Sequence, residues 1–250
     1  MLSLDELTAW YGSTQALFGI NLLLDRGETV ALVGTNGSGK TTTLRAILGQ
    51  LRTGGTVRID GQNLQSVPTH RRVRDYGIAV VHEGRGLLTG LTVRENLVVG
   101  ANRIERARTD EVFDLFPALK DRLQQNVSLL SGGQQQMVAL GRAFLRRPAY
   151  LLMDEPALGL APAIITEIYR SIAELCSSGL AVLLVEQSVS RAAEVADRLC
   201  LVRVGRISRT VTTGDAVAVD ELVADAFDLH TPGENTAVTK SSAETTHRKE

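Results

Sequence analysis

The chain has 250 residues, 44% of them hydrophobic and 22% charged, a balance that excludes a disordered, collagen-like or disulfide-stapled protein. Its 27 basic and 28 acidic residues leave a formal charge of −1, too little for a strong overall field toward nucleic acid. The longest uncharged stretches, residues 7–24 and 123–141, carry Ser, Thr, Asn, Gln and Gly, so neither reads as a membrane span.

In chain order, the N-terminus is acidic and lacks the basic flank of a secretory signal. Residues 2–8, 19–24 and 29–33 read as strands separated by turn-like segments. The last of these, TVALV, is a short apolar run suited to a strand buried on both faces. It leads into Gly34-Thr35-Asn36-Gly37-Ser38-Gly39-Lys40-Thr41. Residues 42–48 then carry apolar side chains at helical spacing, with Gly49 as a stop. Residues 56–59 predict a strand turning at Asp60-Gly61, and residues 78–81 a buried strand.

From about residue 92 to 147 the apolar positions recur at three- and four-residue steps, as in Val112, Leu115, Phe116 and Leu119, which predicts a helical segment inserted between strands. The alternation of strand and helix then returns. Residues 150–153 and 181–185 predict strands, 163–176 and 189–196 helices, and 199–204 with 206–211 a hairpin about Gly205. Cys176 and Cys200 have no metal-ligand spacing and lie in apolar contexts, so they read as small core residues of a reducing compartment. From about residue 230 the chain is rich in Thr, Ser, Glu and Lys, and a disordered tail over 230–250 is expected.

Three motifs carry chemistry. Residues 34–41 match G-x-x-x-x-G-K-[ST] between a strand and a helix, where successive backbone N–H groups form an anion nest at a helix N-terminus. Lys40 suits the β- and γ-phosphates of a nucleotide, and the Thr41 hydroxyl suits Mg²⁺. The apolar run 150–153 ends in two acids. Asp154 is placed to hold the metal, and Glu155 to polarise an attacking water as general base. Ser131, Gly132, Gly133 and Gln134 open a further helix whose N-terminus also suits an anion.

Together these motifs, in this order, resemble the ATP-binding-cassette (ABC) ATPase family over residues 2 to about 228. The resemblance implies an α/β phosphate-loop NTPase fold: a mixed-sheet core, an antiparallel β subdomain, and an inserted α-helical subdomain at about 92–147, all within one domain of residues 1–229. It implies that ATP and Mg²⁺ bind at residues 34–42, Thr42 included, with Tyr11 stacked on adenine. It also implies a head-to-tail dimer in which Ser131, Gly132, Gly133 and Gln134 face the γ-phosphate held by the other subunit. The family's switch histidine falls on Gln187, and its glutamine loop falls on Glu83, which brings a carboxylate toward the metal. Ala161 stands where the family usually has aspartate.

The segments HEGRGL at 82–87, LTVRENL at 91–97, PALGLAP at 156–162 and VEQS at 185–188 look like the LivF-type subfamily. Those are the ATP-binding subunits of branched-chain amino-acid importers, closely related to urea and short-chain-amide importer subunits. His82 and Ser188 depart from that subfamily's usual proline and asparagine. The resemblance implies transmembrane permease partners facing residues 84–91, a solute-binding protein acting through them, and a homodimer or a pairing with a LivG-type sister. It implies a peripheral place at the cytoplasmic face of the membrane and no nucleic-acid partner. The rival readings are a soluble ABC protein and a cassette that binds ATP without hydrolysing it.

Overall fold

The computed structural model describes residues 1–226, so the expected tail over 230–250 lies outside the described residues. The chain opens with strands β1 (Leu2–Tyr11) and β2 (Thr14–Leu24), then β3 (Thr29–Val33) and helix α1 (Lys40–Ile47). Next come β4 (Arg52–Ile59), β5 (Gln62–Asn63), α2 (Thr69–Asp75) and β6 (Ile78–Val81). A helical stretch follows: α3 (Val93–Val98), α4 (Arg103–Arg106), α5 (Thr109–Leu115), two short 3-10 turns and α6 (Gly132–Phe144). The chain then returns through β7 (Tyr150–Asp154), α7 (Pro162–Ser177), β8 (Ala181–Glu186) and α8 (Val189–Ala193). It ends in the hairpin β9 (Arg198–Arg203) and β10 (Arg206–Thr212), and then α9 (Ala216–Ala226).

Two sheets result among the described residues. One is antiparallel, in the order β2-β1-β4-β5, and the other is mixed, in the order β10-β9-β3-β8-β7-β6. In the mixed sheet only the β9–β10 pairing is antiparallel. Its central strands β3, β7 and β8 are buried along their whole length, as parallel strands covered on both faces must be. Alternate residues of β3 divide between two cores. Ala31 and Val33 pack with α6, α7 and the helical insert, while Val30 and Leu32 pack with α1 and the antiparallel sheet. The fold class is therefore the expected one, with a helical segment between β6 and β7.

Several boundaries shift. β1 and β2 are longer than predicted because they meet through a tight turn at Gly12-Ser13, which the pattern did not mark. β4 begins four residues before the predicted strand, its start masked by Gly54-Gly55. α1 starts at Lys40 rather than residue 42, and α8 ends at Ala193 rather than 196. α2 and α9 were not predicted. α2 has one large apolar residue, Val73, and buries an arginine instead. Arg72, 2% exposed, donates to the backbone carbonyls of Ala46, Ile47, Leu64 and Val67. It thereby ties α2 to the C-terminal end of α1, where a cation also suits the helix dipole.

Candidate active site

The parallel strands all deliver their C-terminal ends to one edge of the mixed sheet, the edge at which open α/β sheets bind ligands. Val33 pairs with Glu186, and Asp154 with Val185. That register sets the glycine loop after β3, the acids after β7 and Gln187 after β8 side by side.

Within the loop, Thr35, Asn36 and Gly37 are exposed, while Gly34, Ser38, Lys40 and Thr42 are buried. The Lys40 ammonium donates to the carbonyls of Gly34 and Thr35 at 2.7 and 2.9 Å. Burial pulls its pKa below the ordinary lysine value, against the pull of Glu155, Asp154 and Glu186. The Lys40 charge is thus felt by the carboxylates at the ends of β7 and β8. The loop is braced from behind by the β9–β10 turn. The Gly205 N–H donates to the Ser38 carbonyl at 2.7 Å, and the Gly205 carbonyl accepts from the Phe18 N–H at 2.9 Å. Gly205 has φ +69°, and a Cβ there would lie 2.2 Å from the Ala16 carbonyl oxygen, so only glycine fits.

Thr41, in the first turn of α1, donates its hydroxyl to Asp154 Oδ1 at 2.9 Å. Burial raises the Asp154 pKa, and the Thr41 bond opposes that rise. A hydroxyl and a carboxylate together are the hard oxygen donors that Mg²⁺ prefers, and Mg²⁺ takes its other ligands from water and phosphate rather than from a protein cage. The Ser38 hydroxyl is buried with no partner among the described residues, which fits a loop that receives a polar ligand. The residues present therefore fit a magnesium-bound nucleotide.

Glu155 adopts a left-handed backbone conformation, φ +48°, which is strained for a non-glycine residue. Its N–H donates to the Val185 carbonyl at 2.9 Å. Its carboxylate accepts a hydrogen bond from Gln187 Nε2 at 2.6 Å. Tyr11 is exposed beside α1, with its hydroxyl 3.4 Å from both the Thr42 hydroxyl and an Arg45 guanidinium nitrogen. Glu83 and the adjacent His82 are exposed just beyond β6.

Ser131 caps α6 reciprocally. Its hydroxyl accepts the Gln134 N–H, and the Gln134 side chain accepts the Ser131 N–H. Gly133 is crowded by α7, since a Cβ there would lie 2.6 Å from Ile164 Cγ2. Lys40, Thr41, Asp154, Glu155 and Gln187 thus converge. Ser131, Gly132, Gly133 and Gln134 form a separate edge, linked to the first group through α7.

One site residue was not read from the sequence. Glu186 ends β8 at 4% exposure, and Tyr169 of α7, 3% exposed, donates its hydroxyl to Glu186 Oε1 at 2.7 Å. The available signal was an acid closing the apolar run AVLLVE, the same pattern that marks Asp154.

A glycine-loop cradle, an oxygen-donor pair and a base-like carboxylate at the ends of adjacent parallel strands define a phosphate-loop ATPase. The family described as "ABC transporter" matches residues 17–158. The chain belongs to that family, as an ATP-binding subunit that hydrolyses ATP. It is 41% identical over 232 residues to the "High-affinity branched-chain amino acid transport ATP-binding protein BraG" of Pseudomonas aeruginosa, covering 91% of this chain and 99% of that protein. It superposes on the structure of an ATP-binding subunit of an ABC transporter with TM-score 0.78 and 28% identity, covering 91% of this chain and 99% of the other. A dimeric structure of a bacterial ABC transporter cassette gives TM-score 0.76 and 26% identity, over 85% and 99% of the two chains.

Proposed function

We propose that this chain energises the import of branched-chain or related amino acids, hydrolysing MgATP for transmembrane permease subunits fed by a solute-binding protein. The convergence of Lys40, the Thr41–Asp154 pair and the Gln187–Glu155 pair at one sheet edge carries the hydrolytic part of this reading. The 41% identity to a branched-chain amino-acid transport protein supports the choice of solute.

In this reading residues 1–229 act as one domain with its helical insert at about 92–147. Residues 34–42 hold the phosphates, and Tyr11 lies against the adenine. Thr41 and Asp154 would hold Mg²⁺, with Glu83 as a further candidate ligand. When bound, the ion would offset negative charge on the phosphates. Glu155 takes a proton from the attacking water, and Gln187 orients Glu155. Gln187 can donate and accept hydrogen bonds but cannot carry a proton, so the proton rests with Glu155.

Ser131, Gly132, Gly133 and Gln134 face a nucleotide on a second cassette, either an identical chain or a LivG-like sister. The permease docks between residues 84–91 and the helical insert, beside a groove of about 320 Å³ lined by Leu48, Val73, Val80, His82, Arg142 and Arg146. Its apolar floor and cationic rim suit an amphipathic segment bearing acidic residues. No helix among the described residues is long and apolar enough to cross a membrane, so a peripheral place at the cytoplasmic membrane face follows from docking on the permease.

The test is MgATP turnover by the chain alone and with a sister cassette, followed by uptake of labelled leucine into vesicles holding the whole assembly. Glu155→Gln is expected to abolish turnover in every pairing in which this chain's site is used. Unchanged turnover in both settings would remove Glu155 from the base role, and leucine-independent uptake of another solute would replace the substrate.

A further inference from the structure

Two hydrogen bonds, joined through the Glu186–Gln187 peptide, link Tyr169 to Glu155. The Tyr169 hydroxyl donates to Glu186 Oε1 at 2.7 Å. Gln187 is the next residue along the chain. The Gln187 side chain then donates to Glu155 Oε2 at 2.6 Å.

Glu186 is out of place on stability grounds. It ends a run of five apolar residues and is 4% exposed, in a position where leucine or valine would pack at no desolvation cost. Burial lifts its pKa above the ordinary carboxylate value, and burial also raises that of the Tyr169 hydroxyl. A charged group kept at such a cost serves geometry more than it serves folding. The geometric result is specific. Tyr169 anchors the Glu186 side chain where the chain leaves β8, one residue before the Gln187 amide that reaches Glu155. The Glu155 N–H is held by the Val185 carbonyl of the same strand. Both the backbone and the carboxylate of Glu155 are therefore fixed by residues 185–187.

We propose that Tyr169 and Glu186 are positioning residues for ATP hydrolysis: they fix Gln187, and through it they orient the Glu155 carboxylate. The inference rests on the base role given to Glu155. Neither Tyr169 nor Glu186 needs to touch the nucleotide. Replacing the tyrosine hydroxyl leaves the ring and its packing in place, so the effect falls on alignment.

The experiment uses the full-length chain in whichever pairing of cassettes turns over ATP, with a fluorescent ATP analogue reporting binding and thermal melting reporting folding. Tyr169→Phe is expected to lower kcat about tenfold, the scale of one misaligned hydrogen bond. Its KM for ATP should stay within about twofold, because only alignment for the transition state has changed. Glu186→Gln is expected to lower kcat comparably, and the double variant to be no slower than the slower single. In a Gln187→Ala background, Tyr169→Phe is expected to have no further effect. Wild-type kcat in both Tyr169→Phe and Glu186→Gln, with Glu155→Gln inactive, overturns this inference alone. Full turnover by Glu155→Gln overturns the base role and this inference with it. A kcat loss that persists undiminished in the Gln187→Ala background assigns Tyr169 to packing and overturns the proposal. Should Tyr169→Phe fail to fold, Glu186→Gln decides by the same criteria.

Discussion

The Thr41 hydroxyl meets the Asp154 carboxylate at 2.9 Å although 113 residues separate them in sequence. One stands in the first turn of α1 and the other closes β7, and β8 lies between β3 and β7 in the sheet. Each oxygen therefore comes from a rigid element, not from a loop. Thr41→Ala and Asp154→Asn are each expected to weaken nucleotide binding at least about tenfold in the presence of Mg²⁺, the first through loss of an oxygen ligand and the second through loss of a charge. Titration with a fluorescent ATP analogue, with and without Mg²⁺, checks this: the Mg²⁺-dependent part of the affinity should fall and the Mg²⁺-independent part should remain.

Glu155 holds φ at +48° against the ordinary preference of its residue type. Glycine adopts that conformation without a Cβ penalty, so Glu155→Gly should be more stable than Glu155→Gln by about 1 kcal/mol. Both should lose at least about a hundredfold in turnover, the usual scale for a general base. Calorimetric melting beside a phosphate-release assay checks the pair. Equal stability of the two would mean that the backbone strain is absent in solution.

Arg72 spreads its guanidinium over carbonyls from α1 and from the segment before α2. Arg72→Met keeps an unbranched stem but leaves those carbonyls without their donor in a buried place. A loss of about 3 kcal/mol is expected, measured by urea unfolding. Gly49 is coupled to the same feature, because a Cβ there would lie 2.7 Å from Arg72 Cζ. Gly49→Ala in the Arg72→Met background should then cost less than in the wild-type chain.

These cases show what local pattern can and cannot carry. The cradle was legible because a strand, its glycines, Lys40 and Thr41 lie within a dozen residues, and their chemistry depends on that spacing. Asp154 and Glu155 were legible as acids closing an apolar run beside such a cradle. Glu186 closes its run in the same way, yet only the contact with Tyr169, 17 residues earlier, separates it from an ordinary acid at the end of a strand. α2 was illegible for a related reason: its buried residue is a cation, satisfied by carbonyls from distant segments that no periodicity reveals. Gly205 read only as a hairpin turn, since its bond to Ser38 joins parts of the chain remote in sequence.

The pH dependence of stability follows from Glu186. Its folded pKa is raised above the ordinary 4.5, chiefly by burial. The folded chain therefore binds this proton more tightly than the unfolded chain does. The resulting stabilisation is fully present below about pH 4.5 and is lost as pH rises through the folded value. Glu186→Gln carries a neutral group at every pH. It should melt higher than the wild type at pH 8, and the gap should narrow as pH falls toward the acid range. Together with its expected loss in kcat, that is a gain in stability at a cost in activity. Melting curves across pH 5 to 8 check the sign, and a wild type that melts higher at pH 8 would contradict it.

Gly205→Ala should reach the phosphate loop from the far side. The new methyl group would collide with the Ala16 carbonyl and strain a bond that holds Ser38. A loss of about 2 kcal/mol in stability is expected, with weaker ATP binding accompanying it. Urea unfolding and nucleotide titration on one variant check both parts.

α7 is a single rod of roughly 24 Å that starts against Gly133 and further along offers Tyr169 to Glu186. On the proposed pairing and base role, a neighbour pressing on the Gly133 edge would push the same rod whose Tyr169 is bonded to Glu186. Each subunit in a pair would then have its readiness to fire set by the grip it lends to its neighbour's nucleotide as well as by the grip it receives, and the two halves of a machine wired in this way are disposed to keep time with each other.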